Sequence, residues 1–209
     1  MADIKVLIVF YSRTGVTEAL AKAVAEGAAK EGAELRLRRA REFVGPEVMA
    51  QAPGWQESAA AMNALYPAPT VEDAVWADAI VLGTPTRFGN MAAELKAYID
   101  SLGGLWFQGR LNGKAGAVFC SSSTPHGGNE STLLSMYIPL AHLGLIIVPT
   151  GYADAAMFKA GTPYGASAIS FNQATPPSAE DLDVARWQGR RVAMVARALK
   201  AAGMIAATA

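Results

Sequence analysis

Short apolar runs alternate along the chain with longer stretches in which apolar residues recur at helical spacing, the pattern of βαβ units around a parallel sheet. Ile4–Phe10 is apolar apart from Lys5, as in a strand covered on both faces. Leu20, Ala23, Val24, Gly27 and Ala28 then keep helical spacing, and Gly32 ends that helix. In Glu34–Arg39, Leu35 and Leu37 alternate with Arg36 and Arg38, which predicts an edge strand with one polar face. Further strands are predicted at Ala79–Gly83, Ala115–Cys120 and Leu145–Val148, with helices over Met91–Leu102 and Glu130–Leu143. Leu182, Ala185, Gly189, Val192, Ala196 and Leu199 share one face of a last helix.

Two stretches break the alternation. Residues 40–69 contain Pro46, Pro53, Gly54, Pro67 and Pro69, and read as an irregular crossover with a short helix around Glu47–Gln51. Gly151–Pro177 is rich in Gly, Pro, Ser and Thr and is too long for an ordinary connection, so a functional role is expected of it. With these as insertions, residues 1–209 read as a single α/β domain. Its expected architecture is three-layer αβα, with a doubly wound five-stranded parallel sheet of order 2-1-3-4-5.

Composition narrows the partners. Hydrophobic residues make up 52% of the chain and charged ones 17%, which favours a large interior over a disordered chain. Lys plus Arg equal Asp plus Glu at 18 each, so no overall field draws the chain to nucleic acid or acidic lipid. No apolar run suits membrane insertion, and the start lacks a signal-peptide pattern. The single cysteine excludes an internal disulfide framework, and the expected location is the cytoplasm. Low net charge with a high apolar fraction favours a homo-oligomer.

In a doubly wound sheet, ligands bind beyond the carboxyl ends of the strands where the strand order reverses. That rule selects the loops after Tyr11, Gly83 and Phe119. In the first, Ser12, Thr14 and Thr17 offer hydroxyls, Gly15 lets backbone amides turn inward, and the following helix start favours an anion. A plain turn capped by Thr17 needs only one or two such residues, so a phosphate monoester is the preferred reading. The second loop, Gly83-Thr84-Pro85-Thr86-Arg87-Phe88-Gly89-Asn90-Met91, offers Phe88 and Met91 as a wall for a flat ring. The third, Cys120–Asn129, is a rack of backbone donors suited to the polar edge of a flavin.

Several alternatives fall away. There is neither a Gly-x-Gly-x-x-Gly after the first strand nor a Gly-Lys-Ser/Thr P-loop. A receiver domain would need acidic residues where Tyr11, Ser12 and Arg13 stand, and a cysteine phosphatase would need arginine where His126 follows Cys120. Two histidines and one cysteine without ligand spacing argue against a metal site. Arg36–Arg41 reads as a solvated edge, since no aromatic platform accompanies it.

Tyr-Ser-x-x-Gly at 11–15, the nine-residue run at 83–91, Gly-Gly-Leu-Trp at 103–106, Gly-Thr-Pro-Tyr-Gly-Ala at 161–166 and Ala-Arg-Trp-Gln-Gly at 185–189 resemble the WrbA family. The likeness covers nearly the whole chain. It implies a flavodoxin-like fold, FMN as cofactor, NADH or NADPH as co-substrate, quinones as acceptors and a homotetramer. Carried over by position, Ser12, Arg13, Thr14, Gly15, Val16 and Thr17 would hold the phosphate, and Thr86, Arg87 and Phe88 would contact the ring. Ser121, Ser122, Ser123, Thr124, Pro125, His126 and Gly127 would border its polar edge. Trp106 would line the quinone pocket with Tyr152 as a further aromatic, and His142 would lie beside the flavin as a hydrogen-bonder rather than a nucleophile. The chain departs from the family pattern at Arg13, Thr14 and the third loop, which carries an extra residue. Two other classes stay open, a flavodoxin-type electron carrier and an FMN-binding regulatory scaffold. Net zero charge argues against the carrier, whose docking relies on a strongly acidic surface.

Overall fold

The computed structural model describes residues 4–172 and 175–205. Its strands are β1 (Ile4–Phe10), β2 (Ala33–Arg39), β3 (Ala79–Pro85), β4 (Ala115–Ser122), β5 (Ile146–Ile147) and β6 (Ser167–Ile169). All pair in parallel, in the order β2-β1-β3-β4-β5, with β6 also on β4. That is the order expected from the apolar pattern, with one difference. The predicted strand Leu145–Val148 shrinks to β5, which meets β4 only at Ala115 and Gly116, while β6 meets it at Cys120, Ser121 and Ser122. Since β3 occupies the other edge of β4, the fifth position holds one strand interrupted by residues 148–166.

Alternation along β1 sorts the core into two layers. Val6, Ile8 and Phe10 join α1 (Val16–Lys30) and α8 (Ala179–Ala201) on one face of the sheet. Leu7 and Val9 join α5 (Ala93–Ser101), α6 (Gly103–Phe107) and α7 (Asn129–His142) on the other. Each such buried side chain stabilises the fold by up to about 1.5–3 kcal/mol. α1 and α8 cross so closely that a Cβ on Gly27 would lie 1.9 Å from the Arg186 carbonyl oxygen, and one on Gly189 would lie 1.9 Å from that of Val24. The two glycines set that crossing.

Residues 40–69 correct the expectation of an irregular crossover. α2 (Pro46–Met49) stands near the predicted short helix, but α3 (Trp55–Leu65) was not anticipated, and α4 (Val71–Trp76) follows it. Pro53-Gly54 begins α3 instead of breaking it, because Gly54 is its N-cap at φ 75°. The solvated arginine edge is corrected too. Arg36 and Arg38 both bond Asp73 of α4, at 3.0 and 2.8 Å, and Arg39 is fully buried.

The 151–177 insertion is anchored to the final helix. The Gln188 side chain accepts from the Ala166 amide (3.1 Å) and donates to the Val118 carbonyl (2.7 Å). The Trp187 indole donates to the Thr150 carbonyl at 3.0 Å. Residues 173–174 of this segment lie outside the described residues. No helix among the described residues is long and apolar enough to cross a membrane.

Candidate functional site at the carboxyl ends of the strands

The three polar loops selected from the sequence meet at one cavity of about 130 Å³. Ser12, Arg13, Thr14, Val16 and Thr17 line it from the first loop, Thr86 and Arg87 from the second, and Ser121, Ser122 and Ser123 from the third. The loops are joined by hydrogen bonds. The Thr17 and Ser121 hydroxyls pair at 2.9 Å, the Thr86 amide donates to the Ser121 carbonyl at 2.7 Å, and the Thr86 hydroxyl pairs with that of Thr132 at 2.7 Å. Gly15 is the N-cap of α1 at φ 97°, a conformation glycine adopts without strain. No side chain caps α1, and the Ser12 hydroxyl accepts from the Gly15 amide at 3.1 Å, so the first-turn amides lack intrahelical acceptors. The alternative of a turn capped by Thr17 is therefore not what the loop forms.

The electrostatics suit an anion. Neither Arg13 nor Arg87 makes an ion pair with a carboxylate among the described residues. The buried Nε of Arg13 has no hydrogen-bond partner. Burial and the neighbouring Arg13 charge hold the Arg87 guanidinium below its ordinary pKa. Two neighbouring cations in a recess of hydroxyls and open amides form a complement to a phosphate dianion. At about 130 Å³ the cavity is smaller than the roughly 300–1,000 Å³ of whole-ligand pockets, so it suits the phosphate end of a cofactor whose ring lies outside it.

Behind the first loop lies a buried network. The fully buried Arg39 donates to the Ser12 carbonyl at 2.9 Å, to the Asn63 side chain at 2.6 Å, and to both oxygens of Glu42. The Trp55 indole donates to Glu42 at 3.4 Å, and the Arg13 guanidinium stacks 3.6 Å from the centre of the Trp55 ring. Despite the burial of its carboxyl, these donors hold Glu42 below the usual carboxylate range.

The second loop closes as a two-residue turn, with reciprocal backbone hydrogen bonds between Arg87 and Asn90. Phe88 and Gly89 occupy its centre at φ 53° and 78°. A phenylalanine there is strained by roughly 1–2 kcal/mol and, being fully exposed, recovers nothing by burial. Gly89 packs against the third loop, where a Cβ on Gly128 would lie 3.3 Å from the Gly89 Cα.

The remaining candidates separate. Trp106 and His142 share an apolar groove of about 440 Å³ with Met91, Ile138 and Pro139, and the Arg87–Asn90 turn divides this groove from the phosphate cavity. Tyr152 is not in either recess; its ring lies 5.6 Å from that of Phe158 within the insertion. Pro125 and His126 face a polar cleft of about 940 Å³ that also includes Lys159 and Asp181. The Thr124 carbonyl accepts from the Ser122 hydroxyl and the Gly127 amide, which shapes the third loop. Ser170, a cavity residue just after β6, was not anticipated, because nothing periodic marks its strand. Arg39 was also missed, although a signal exists: it follows Leu35 and Leu37 at strand period on the inward face of β2.

Comparisons with known proteins agree with this geometry. A family model described as NADPH-dependent FMN reductase matches residues 4–159. The NAD(P)H dehydrogenase (quinone) 3 of Rhizobium meliloti (strain 1021) is 44% identical over 204 residues, covering 94% of this chain and 93% of its own. The flavodoxin, WrbA-like protein from Agrobacterium tumefaciens is 26% identical with a TM-score of 0.66, covering 94% of this chain and 99% of its own. An archaeal flavodoxin at 16% identity and a TM-score of 0.61, covering 93% of this chain and 99% of its own, shares the fold. With the family model spanning most of the chain, and a relative so similar over nearly all of it, the chain belongs to the NADPH-dependent FMN reductase family.

Proposed function

We propose that this chain is an FMN-dependent NAD(P)H:quinone oxidoreductase. The observation that carries the reading is the pair of unpaired guanidiniums, Arg13 and Arg87, in a hydroxyl-lined recess at the sheet's switch point. The 44% identity to a NAD(P)H dehydrogenase (quinone) supports the activity. When bound, FMN supplies the chemistry, taking hydride from NADH or NADPH and passing two electrons to a quinone. The residues of the chain bind and orient. Ser12–Thr17 hold the phosphate with Arg13 and Arg87, Thr86 and Phe88 border the ring, and Ser121–Gly127 lie along its polar edge. Trp106 offers aromatic surface to the quinone and His142 a hydrogen bond to its oxygen, from the groove that the two residues share; Tyr152, outside that groove, would reach the quinone only from a neighbouring subunit. Nicotinamide and quinone would share the same site in turn, so the expected kinetics are ping-pong. The whole chain acts as one flavodoxin-like unit in a cytoplasmic homotetramer, and the exposed apolar side chains Trp106, Ile138 and Tyr152 are available to subunit contacts.

The test is anaerobic mixing of FMN-loaded protein with NADH or NADPH, followed by benzoquinone. The expected result is loss of the yellow absorbance with a nicotinamide and its return with quinone. Flavin that neither nicotinamide bleaches, or that quinone does not reoxidise, removes the enzymatic reading.

A further inference from the structure

We propose that Arg39 is a positioning residue for the phosphate loop, holding Ser12 directly while its partner Glu42 holds Arg13 through Trp55. The proposal rests on the phosphate-site reading above and deepens it. Arg39 does not line the cavity, so it does not itself touch a ligand there. It is nonetheless the largest fully buried side chain among the described residues, and a buried guanidinium is costly unless its donors are used. Its two Nη groups are spent on Glu42, Asn63 and the Ser12 carbonyl, while the buried Nε has no partner.

The peptide geometry explains what the bond to Ser12 does. No described peptide is cis, and in a trans peptide the carbonyl and the next amide lie in one plane and point in opposite directions. Drawing the Ser12 carbonyl toward Arg39 therefore turns the Arg13 amide away from Arg39. Its partner carboxylate reaches the Arg13 side chain by a second route, since Glu42 accepts from the Trp55 indole and the Trp55 face carries the Arg13 guanidinium. The buried pair of Arg39 and Glu42 thus fixes a backbone amide and a cation in consecutive residues. Its helpers, Trp55 and Asn63, both come from α3, so the 40–69 crossover is the back wall of the phosphate site.

The test compares FMN with riboflavin, which lacks the phosphate, by fluorescence titration of flavin-free protein. Removing Arg39 alone would leave Glu42, whose side chain is 6% exposed, as a buried unpaired charge. The charge-neutral double variant Arg39→Met with Glu42→Gln avoids this and leaves the net charge around the site unchanged. It should weaken FMN by about tenfold to a hundredfold, the scale of a lost hydrogen bond from a charged donor, with riboflavin affinity held within about twofold. The ³¹P resonance of bound FMN should shift. Equal weakening of both flavins, or of neither, overturns the proposal. If the double variant does not fold, Arg39→Lys gives the same reading. It keeps the charge but cannot reach Ser12, Glu42 and Asn63 together, and must lower the FMN-to-riboflavin preference. A wild-type protein that binds riboflavin as tightly as FMN withdraws the phosphate-site reading itself. A wild-type preference retained by these variants sinks the Arg39 claim alone.

Discussion

The two ends of the sheet treat charge in opposite ways. At the amino end, Asp78 accepts from the Lys5 amide at 2.9 Å and from Lys200 at 2.8 Å. The buried Lys114 donates to the carbonyls of Ala74 and Val75 at 2.8 and 2.9 Å, and also to that of Ala77, closing the end of α4. At the carboxyl end, Arg13 and Arg87 have no carboxylate partner among the described residues, and Phe88 sits strained and exposed between them and the apolar groove. A fold that satisfies its charges at one end has the means to do so at the other. Cations and strain left uncompensated at one place mark where a ligand completes the structure.

The comparison can be broken first at Lys114. Lys114→Met should destabilise the protein by about 2–3 kcal/mol in urea unfolding, because three carbonyls lose their donor, while FMN affinity stays unchanged. A change in affinity would mean that the two ends are not separate. The same lysine carries a pH signature. Burial brings it down to about 8 from 10.5, against the opposing pull of Asp78 and with help from Arg110. Between those values the unfolded chain holds a proton that the folded one has released, so this group's contribution to stability rises with pH across the window. Below pH 8 its penalty is fully present. The methionine variant should lose that rise, and a slope that persists would assign it to another group.

At the carboxyl end, Arg13→Gln or Arg87→Gln should weaken FMN by about tenfold, on the order of 1.5 kcal/mol for a charge-assisted contact. Unfolding of the flavin-free protein should change by no more than about 1 kcal/mol, since no ion pair is lost and only the stacking of Arg13 on Trp55 goes. Comparable destabilisation without flavin would show that these arginines are structural after all. The smallest effect concerns Phe88. Phe88→Gly should raise the stability of the flavin-free protein by about 1 kcal/mol through relief of the positive φ, and weaken flavin binding at the same time. A fall in stability would mean that the turn is not strained by its side chain.

Much of this contrast was legible in the sequence. Continuous apolar runs and helical spacing placed β1, α1 and the sheet order, because those features follow directly from two-sided burial. The three loops were legible because chain topology alone brings them to one edge. The segment Trp55–Leu65 escaped because its alanines give little contrast between faces, and Pro53-Gly54 looks like a break until Gly54 is seen as a cap. Arg39 was hidden by its neighbours: Arg36 and Arg38 lie on the outer face, and a run of arginines hides that one of them follows the leucines inward. Ser170 depends on β6, three residues whose pairing is decided wholly by tertiary contact. The orientation of Trp106, His142 and Tyr152 was beyond reach, since it depends on how α6, α7 and the insertion pack.

The interrupted fifth strand bears on how such a molecule avoids sticking to others. An outer strand with a long row of free amides and carbonyls is a template on which a foreign strand can build, the first step toward aggregation. Here that border is made of a two-residue piece and a three-residue piece, separated by residues 148–166. Neither is long enough to align a stranger in register. The opposite border, β2, carries Arg36 and Arg38 clamped to Asp73. The segment that brings Ser170 to the cavity therefore also divides the sheet's border into pieces too short to propagate.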